Sequence, residues 1–468
     1  MDSGRRHDPS RCTTAVGGPG PLAPIGDSKD SRPVLAIRRL LRIIAETLDL
    51  DLSIRLWDGS RIPLGQNIRS PFEIVVESPG VLSSLIRRPT ADNLMLHYAE
   101  GSLRLEGGDP LEFIATAESN RGVRNLSQLP RWRTLRAAIG VARERPAHAG
   151  RSRAVGGQDE SGGAGESPSR RSRQTASTQS ERIQFHYDIG NEFYELFLGR
   201  EMQYSCGDFD ARNLDLDRAQ EAKLDRICRL LQLQQGESLL DVGCGWGGLL
   251  CYAARHYGVH AHGLTLSPAQ FEYAQTKIRE QGLEAQVTVE LADYSAAQPS
   301  PRGAYDKMAS IEMIEHLGLA RVPSYFQKLR SLLPEHGLLL VQATTRRAKK
   351  KTSRSRKSRI GSRLIERHVF PGFELDNLGG MTAAMEAARF EILQVSGSRE
   401  HYAKTTALWC RRLWDRRKEA ESMVGPEKTR LWLAYLAGVS RSFDVGSLRV
   451  YQVLASRQGG RAGRAQGS

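Results

Sequence analysis

The sequence predicts an α/β protein: a parallel sheet with helices on both faces, preceded by a small α+β domain. Two observations lead to this fold class. Between residues 181 and 456, strand-like apolar runs alternate with helical patterns, which is typical of right-handed βαβ units and a parallel sheet. Before them, the tract 144–180 is dominated by Gly, Ser, Arg and Ala and nearly lacks large apolar residues. It separates the main region from an N-terminal one.

The N-terminal region predicts an α+β domain over residues 33–143. The segment before it, 1–32, is rich in Gly, Pro, Ser and Asp, which predicts disorder. Apolar residues of the domain first recur at helical spacing and then alternate as in strands. No group of residues in it forms a catalytic constellation. The predicted elements are helices over 34–48 and 81–88, strands over 52–56, 72–76 and 103–105, and a turn at Asp58-Gly59.

The remaining chain divides at three further boundaries. The tract 144–180 predicts a flexible, exposed linker, and 457–468 predicts a disordered tail. Residues 181–456 form the main α/β domain, in which the period of apolar residues changes repeatedly between helical and strand-like. The predicted elements there are helices over 217–233, 248–257 and 267–281, and strands over 238–242, 260–264, 286–291, 305–310 and 337–342.

The composition favours a globular protein with an anionic partner. Hydrophobic residues make up 40% of the 468 residues, and no stretch approaches the ~18–20 apolar residues of a membrane span. Arginines near the N-terminus have no apolar segment behind them, so we expect no signal peptide. The six cysteines show no paired or metal-like spacing, which favours a reduced, cytoplasmic setting. The net charge of +14 fits nucleic acid, an anionic membrane or an acidic substrate.

The most informative stretch is LDVGCGWGG over residues 240–248. A buried strand ends in Asp241, and Gly243, Gly245 and Gly247 follow. Glycines at such a strand–helix turn allow positive φ and a close approach of the backbone to a ligand. The helix after the turn offers free N–H groups to the same ligand. A nucleotide-like ligand is therefore predicted here.

Two common nucleotide sites do not match this loop. A dinucleotide site wants G-x-G-x-x-G and an acid after the second strand, but residues 263–267 read GLTLS. A phosphate-binding P-loop would need Gly-Lys-Ser/Thr, which is missing. A tight turn without any ligand is the plain alternative on the loop alone.

Motifs on either side of the loop resemble the cyclopropane fatty acid synthase family. Its members are S-adenosylmethionine (SAM)-dependent methyltransferases that act on unsaturated lipid chains. The resemblance spans about 182–456 and, more loosely, HYAEG at 97–101 in the N-terminal domain. It implies a class I SAM-dependent methyltransferase fold with a Rossmann-like sheet. The motifs are HYDIGNEFY (186–194), YSC (204–206), LDVGCGWGG (240–248), GLTLSPAQ (263–270), IEMIEHLG (311–318) and HYAKTT (401–406).

The resemblance implies which residues bind SAM. The glycine loop would cradle its methionine part, and a segment after the second strand would contact the ribose, which accounts for the missing acid. Ser267 also reads as a helix N-cap. The implied cofactor residues are Tyr204, Ser205, Asp241, Gly243, Gly245, Gly247, Thr265, Ser267, Gln270, Asp293 and Tyr294.

The implied reaction needs a base and groups that stabilise a carbocation on the lipid chain. The π electrons of a cis alkene attack the SAM methyl group, a carbocation forms on the chain, and one proton must leave. Aromatic faces stabilise a cation, and Tyr187, Tyr194, Tyr204 and Tyr402 are candidates. In the family the base is bound bicarbonate. The implied catalytic residues are Cys206, Glu315, Gln342 and Tyr402 around the bicarbonate, with His186 and Tyr187 from the first motif.

Each of these roles has a structural alternative, and the chain departs from the family at two places. Glu315 also reads as a polar residue at a helix start, Cys206 as a small core residue, and Tyr402 as a packed aromatic. The family often has histidine where this chain has Gln342, and many members have cysteine at the place of Val439. A methyl-branched or methylene product therefore stays open beside the cyclopropane ring, as does small-molecule N-methylation.

A basic insertion predicts the cellular partner. Residues 346–359 read RRAKKKTSRSRKSR without an acid. Such clusters bind anionic membranes at about 1 kcal/mol per basic residue, and without interleaved aromatic residues a nucleic-acid role is disfavoured. We therefore expect phospholipid acyl chains as substrate and peripheral attachment to the inner face of the membrane. A homodimer and a non-enzymatic binding module stay open, although Asp241, Glu315 and Tyr402 argue against the module.

Overall fold

The computed structural model describes residues 32–119, 189–210, 215–300, 303–335, 337–348, 369 and 374–457. The predicted linker 144–180, the first 31 residues and the tail from 458 onward lie outside the described residues. So do residues 349–359 of the basic insertion. Within the described ranges, no helix is both long and apolar enough to cross a membrane.

The N-terminal domain is α+β, as predicted. Its sheet has the order β2-β1-β3-β4, with β1 parallel to β3 and the other two pairs antiparallel. The amphipathic helix α1 packs Ile37 and Leu41 against Ile54 and Phe72 of this sheet. The described elements are α1 Arg32–Leu48, β1 Ser53–Arg55, β2 Arg61–Pro63, β3 Glu73–Val76, α2 Pro79–Arg87, α3 Ala91–Glu100, β4 Leu103–Glu106 and α4 Pro110–Ser119.

Helices α3 and α4 and strand β2 were not predicted from the sequence. Helix α3 has a weak amphipathic pattern, and only His97 and Ala99 of it are buried. Both of its ends have the residues that usually cap helices. The Thr90 side chain accepts from the backbone N–H of Asn93, and Gly101 ends the helix in the left-handed region.

The main domain is built on a seven-stranded sheet of order β10-β11-β9-β8-β5-β6-β7. Helices α6–α10 alternate with its strands along the chain. The elements are α5 Asn191–Glu195, α6 Leu216–Leu230, β5 Ser238–Val242, α7 Gly248–Tyr257, β6 His260–Thr265, α8 Pro268–Glu280, β7 Val287–Leu291, β8 Lys307–Ile311, α9 Val322–Leu332, β9 Leu338–Arg346, α10 Leu378–Ala387, β10 Phe390–Gly397, α11 Arg399–Asp415, α12 Arg417–Val424, α13 Pro426–Asp444 and β11 Leu448–Arg457.

The strands predicted from the sequence, β5 to β9, are parallel as expected, and the sheet also has an antiparallel strand near one edge that was not predicted. Strand β11 runs antiparallel to both β9 and β10. Helices α11–α13 leave from the end of β10 at Gly397 and return to Leu448, which pairs with Arg346 at the end of β9. Because this helical excursion begins and ends at the same edge of the sheet, β11 must run back through it. The excursion also places α11 beside the carboxyl ends of the parallel strands.

An aromatic core joins the two domains. Tyr194 and Trp246 lie 5.0 Å apart between ring centroids in a cluster that also contains Trp432 of α13. Leu111 and Ile114 of the N-terminal helix α4 pack against the same cluster. On α13, Arg430 donates two hydrogen bonds to the backbone carbonyl of Ala99, at 2.7 and 2.9 Å. The N-terminal domain is therefore docked on the helices that flank the site.

Candidate active site

The glycine loop has the conformation that the sequence predicts. Gly243, Gly245 and Gly247 have φ of 86°, 55° and 78°, a region that favours glycine. A Cβ built on Gly245 would meet nothing within 4 Å, so it would project into open space. Two hydrogen bonds attach the loop to β6, because the backbone N–H groups of Gly243 and Cys244 both donate to the carbonyl of Leu264 at 2.9 Å.

The open space beside the loop is a pocket at the carboxyl ends of β5, β6 and β8. It encloses about 910 Å³ including its mouth, which is enough for a nucleoside with an amino-acid substituent. It lies where the strand order reverses, between β5 and β8, the usual ligand position in such sheets. Its lining includes Met202, Gln203, Tyr204, Ser205, Asp241, Gly243, Gly245, Trp246, Thr265, Gln270, Tyr294, Glu312, Met313 and His316.

Asp241 gives the pocket an unmet acceptor. Its Oδ1 atom is buried and has no hydrogen-bond partner among the described residues. Burial raises the pKa of Asp241 to about 7, against the opposing effect of the Lys223 ammonium. A buried carboxylate oxygen of this kind needs a donor or a cation from a ligand. The site therefore fits a molecule that carries an ammonium group, as the methionine part of SAM does.

Most residues predicted to bind SAM line this pocket. Those are Tyr204, Ser205, Asp241, Gly243, Gly245, Thr265, Gln270 and Tyr294. The other three hold the surrounding backbone. Ser267 caps α8 by accepting from the backbone N–H of Gln270 at 3.3 Å, so its N-cap interpretation is confirmed. Asp293 accepts from the N–H of Ser295 at 2.9 Å, and Gly247 starts α7.

A second group of residues surrounds Glu312, which sequence reasoning missed. One carboxylate oxygen, Oε1, accepts from the backbone N–H of Cys206 at 3.2 Å and from Nε2 of Gln342 at 2.8 Å. The other oxygen, Oε2, accepts from the hydroxyl of Tyr402. Glu312 itself lines the pocket. Three of the predicted catalytic residues therefore converge on one carboxylate.

The orientation of Gln342 is fixed from behind. Gln452, its partner across the β9–β11 pair, donates from Nε2 to Oε1 of Gln342 at 2.9 Å. Arg226 in turn donates from Nε to Oε1 of Gln452 at 3.2 Å. The chain of donors leaves the Nε2 amide of Gln342 directed at Glu312.

The backbone at Glu312 is held in an uncommon conformation. Its φ is 56°, a region that costs a non-glycine residue roughly 1–2 kcal/mol. Its N–H donates to the carbonyl of Gln342 at 2.8 Å, so the turn after β8 stays attached to β9. This turn aims the Glu312 side chain into the pocket. The signal in the sequence was its position as the first residue after a buried strand.

Glu315, which the resemblance assigns to the catalytic group, lies beside Glu312 and has a different hydrogen-bond partner. It lies in the 3₁₀ turn Ile314–His316, one turn beyond Glu312, and its carboxylate accepts from the backbone N–H of Thr344. Burial and the nearby Glu312 charge raise the pKa of Glu315 to about 8. The carboxylate that meets Cys206, Gln342 and Tyr402 is therefore Glu312. The reason is the register: Ile311 pairs with Gln342, which leaves Glu312 beside that strand position.

The thiol of Cys206 is not poised for chemistry. It is buried, and burial raises its pKa well above the ordinary value, so it stays protonated. Its Sγ faces backbone carbonyls of Gly207 and Ser398. The atom of Cys206 that contacts Glu312 is its backbone nitrogen. The described cysteines are all buried and free, in agreement with the absence of paired spacing.

A buried lysine beneath the site also escaped the sequence reasoning. Lys223 of α6 donates to Oγ of Ser205 at 3.0 Å and to the side chain of Gln203. Burial lowers its pKa to about 8, while the charges of Glu312 and Asp241 act in the opposite direction. Lys223 is therefore the cation that offsets two buried carboxylates. It could have been found as the one lysine on the apolar face of α6.

The predicted aromatic residues divide between core and site. Tyr194 is fully buried among Phe193, Phe197, Trp246 and Trp432, so it is a core residue. Tyr204 lines the pocket. Tyr402 stacks on Phe443 with 4.4 Å between ring centroids and reaches Glu312. His186 and Tyr187 lie outside the described residues.

Comparison with known proteins finds relatives that are named as methyltransferases of fatty acids or sphingolipids. Residues 174–453 match the family described as mycolic acid cyclopropane synthetase. A probable fatty acid methyltransferase of Pseudomonas putida is 34% identical over 411 residues, which is 88% of this chain and 93% of that protein. A probable fatty acid methyltransferase of Mycobacterium tuberculosis is 36% identical, over 59% of this chain and 63% of that protein. A sphingolipid C9-methyltransferase of Komagataella phaffii is 31% identical, over 59% and 58%.

Solved structures resemble the main domain. The cyclopropane synthase MmaA2 of Mycobacterium tuberculosis has a TM-score of 0.56 and 29% identity, over 59% of this chain and 98% of that one. The mycolic acid cyclopropane synthase CmaA1, in complex with SAH and CTAB, has a TM-score of 0.56 and 30% identity, with the same coverage. The seven-stranded fold is thus that of SAM-dependent methyltransferases.

Proposed function

Because the chain belongs to the mycolic acid cyclopropane synthetase family of SAM-dependent methyltransferases, we propose that it methylates carbon–carbon double bonds in phospholipid acyl chains. The observation that carries this proposal is the carboxylate centre at Glu312, at the end of the SAM pocket. A hydrogen-bonded carboxylate beside a methyl donor suits a reaction in which a proton must leave after methyl transfer.

SAM fits the residues of the pocket. When bound, it supplies an electrophilic methyl group on a sulfonium. The open face at Gly245 and the unmet acceptor at Asp241 would hold its amino-acid part, while Thr265 and Gln270 would contact its ribose. Tyr294 follows the third strand and borders the adenine side. The chain's own residues therefore hold the donor between the glycine loop and Glu312.

The relatives support a lipid as the methyl acceptor. The probable fatty acid methyltransferase of Pseudomonas putida matches across both domains, since 93% of it is covered. The sphingolipid C9-methyltransferases act on another long-chain lipid by their names. The structure of CmaA1 contains CTAB beside SAH. A lipid acceptor for this chain accounts for all of these without a separate explanation for the N-terminal domain.

The aromatic residues near Glu312 serve a carbocation. The ring of Tyr402 stacks on Phe443, and Tyr204 lines the pocket. Aromatic faces attract a cation, most strongly where water is excluded. Loss of a proton from the new methyl group closes a cyclopropane ring. A hydride shift before that loss gives a methylene branch instead, and loss of a proton from a neighbouring chain carbon gives a methyl branch that keeps a chain double bond.

The position of the basic insertion supports a membrane-bound substrate. The insertion starts at Arg346, the last residue of β9, four residues beyond Gln342. At ~3.3 Å per strand residue, its start is about 13 Å from the carboxylate centre. The basic side chains of 346–359 would attract anionic headgroups there and bring acyl chains to the pocket. This position of Arg346 supports the proposal that the protein attaches peripherally to the membrane.

Bicarbonate, the base that the family resemblance implies, does not fit the residues as they stand. Its expected donors are the backbone N–H of Cys206, the amide of Gln342 and the hydroxyl of Tyr402. All three already donate to Glu312. No step is therefore assigned to bicarbonate.

The test is an assay with purified protein and deuterated-methyl SAM. Vesicles of a cis-monounsaturated phospholipid are the substrate, and vesicles of the saturated analogue are the control. We expect labelled acyl chains that gain one methyl-derived carbon and lose the alkene, measured by gas chromatography and mass spectrometry of the fatty acid esters. Label in small amines, with none in unsaturated lipid, would overturn the proposal and favour N-methylation.

A further inference from the structure

Glu312 occupies a cradle built for an anion. Its two oxygens accept from one backbone N–H, one amide and one phenol, which come from the segment before α6, from β9 and from α11. These three elements are far apart in sequence, and their donors have no other common acceptor among the described contacts. We propose that Glu312 is the built-in base of this enzyme, which takes the proton from the methylated lipid cation in place of a bound anion.

The backbone at Glu312 argues for a specific role. A residue at φ 56° would be unstrained only as glycine, and glycine there would leave the three donors around an empty space. The chain instead carries a side chain whose carboxylate fills that space. Strained positions of this kind persist where the surroundings over-determine them, and they cluster at active sites. A purely structural residue would not need to face the pocket.

The step balances with the reactants that methyl transfer supplies. The alkene π electrons form a C–C bond to the SAM methyl group, and the S–CH₃ bond breaks to leave a neutral thioether. A Glu312 oxygen then takes one proton from the new methyl group. The electrons of that C–H bond close the third bond of the ring, or form an alkene if the cation has migrated. Glu312 ends the step as a neutral carboxylic acid.

The surroundings suit a base of this strength. Withdrawal from bulk water raises the pKa of Glu312, while the hydrogen bonds from Tyr402 and Gln342 and the Lys223 charge act against that rise. The carboxylate is therefore more basic than one in water, which helps it accept a proton. Glu315, the other nearby carboxylate, is directed at the Thr344 backbone.

The inference rests on the proposed lipid methylation, and its experiment separates the two. Glu312→Gln keeps the volume but removes the base. Glu312→Gly removes the base, relieves the backbone and opens the cradle. Glu284→Gln, at an exposed position after α8, is the matched control. Each variant is assayed on unsaturated vesicles with and without added bicarbonate, in buffer depleted of carbon dioxide, and its SAM affinity is measured by calorimetry.

We expect the wild type and Glu284→Gln to turn over equally with and without bicarbonate. Glu312→Gln should lose about 10²–10⁴-fold in turnover, the usual share of a general base, with SAM affinity unchanged. Glu312→Gly should lose as much and regain turnover when bicarbonate or formate is added. In a separate readout without substrate, ¹³C-bicarbonate should show line broadening with Glu312→Gly and none with the wild type.

The opposite results are equally clear. Wild-type turnover that requires bicarbonate, or Glu312→Gln within twofold of the wild type, overturns the inference and leaves lipid methylation standing. If Glu312→Gly does not fold, Glu312→Gln and the bicarbonate dependence of the wild type still decide it. Absence of lipid turnover in the wild type defeats the proposed function instead. In that case the ¹³C measurement alone tests the cradle, and bicarbonate broadening with the wild type would refute Glu312 as its occupant.

Discussion

The hydroxyl of Tyr402 on α11 donates a hydrogen bond to the carboxylate of Glu312, ninety residues earlier in the chain at the end of β8. The contact joins the helical excursion α11–α13 to the carboxyl edge of the sheet. It exists because the excursion leaves from β10 and returns to β11 at that edge. The carboxylate centre is therefore assembled from the Rossmann-like sheet and from the helices added to it.

Tyr402→Phe should weaken turnover and shift its pH dependence. The phenol hydrogen bond lowers the pKa of Glu312, so its loss should raise that pKa. A base must be ionised, and the rise of activity with pH should therefore move to higher pH, with turnover reduced about 10–100-fold. The measurement is kcat against pH on unsaturated vesicles. Glu315, Lys223 and Cys206 also face this carboxylate and stay unchanged in the variant.

Tyr451→Phe, on β11, is the control for loss of a phenol. An unchanged pH profile in Tyr402→Phe, even with lower kcat, would mean that Tyr402 only packs against Phe443.

Gly245→Val should abolish SAM binding without unfolding the protein. The added side chain would project into the pocket, where nothing lies within 4 Å of the Cβ, and would fill the space for the ligand. We expect SAM affinity to fall at least 100-fold by calorimetry. Gly282→Val is the matched control, because Gly282 has φ 65° and an equally open Cβ position in a turn away from the pocket. Equal SAM affinity in a folded Gly245→Val protein would rule out this loop as the binding site.

Glu315→Gln should change how stability depends on pH. The folded-state pKa of Glu315 is raised to about 8, so the native protein holds a proton that the unfolded chain releases above its ordinary pKa. As the pH rises from about 4.5 to 8, Glu315 ionises in the unfolded chain but stays protonated in the native protein. The free energy of unfolding therefore falls over this range, by up to ~1.4 kcal/mol per pH unit. The glutamine should remove this cost. Relative to the wild type, the variant should gain in free energy of unfolding from pH 5 to pH 8, measured with urea.

The same variant tests the catalytic role that the resemblance implies for Glu315. We expect unchanged SAM affinity and lipid turnover close to that of the wild type, because Cys206, Gln342 and Tyr402 contact Glu312 and not Glu315. A large loss of turnover with unchanged SAM affinity would instead support the catalytic role of Glu315.

Neutralising the basic insertion should release the protein from anionic vesicles. Replacing the Lys and Arg residues of 346–359 with Ser removes the attraction to headgroups, which salt also screens. Co-sedimentation with anionic vesicles should fall in this variant, and in the wild type as salt rises. Turnover on detergent-dispersed lipid should persist. Replacing Arg170, Arg171 and Arg173 in the linker with Ser is the control.

Two results would contradict the role of the insertion. One is equal binding of the wild type to neutral and anionic vesicles. The other is tight, salt-sensitive binding to duplex DNA without vesicle binding, which would favour a nucleic-acid partner.

The local features of this protein could be predicted from its amino-acid sequence alone. Strand β5 and helix α7 lie where the apolar pattern placed them, and Gly243, Gly245 and Gly247 have the positive φ that their spacing predicts. Asp241 lies at the pocket, and Ser267 caps α8. These features depend on steric limits and hydrogen bonds within a few residues. They can therefore be read without the fold.

Which of two carboxylates accepts the hydrogen bonds of Cys206, Gln342 and Tyr402 could be learned only from the three-dimensional structure. Both Glu312 and Glu315 follow β8, and the family motif drew attention to Glu315. The choice depends on the pairing of β8 with β9, which sets Glu312 beside Gln342, and on the return of β11, which brings Tyr402 across the edge. Strand register and the path of the α11–α13 excursion are long-range properties. They arise from contacts between segments that lie 30 to 110 residues apart, which local patterns do not encode.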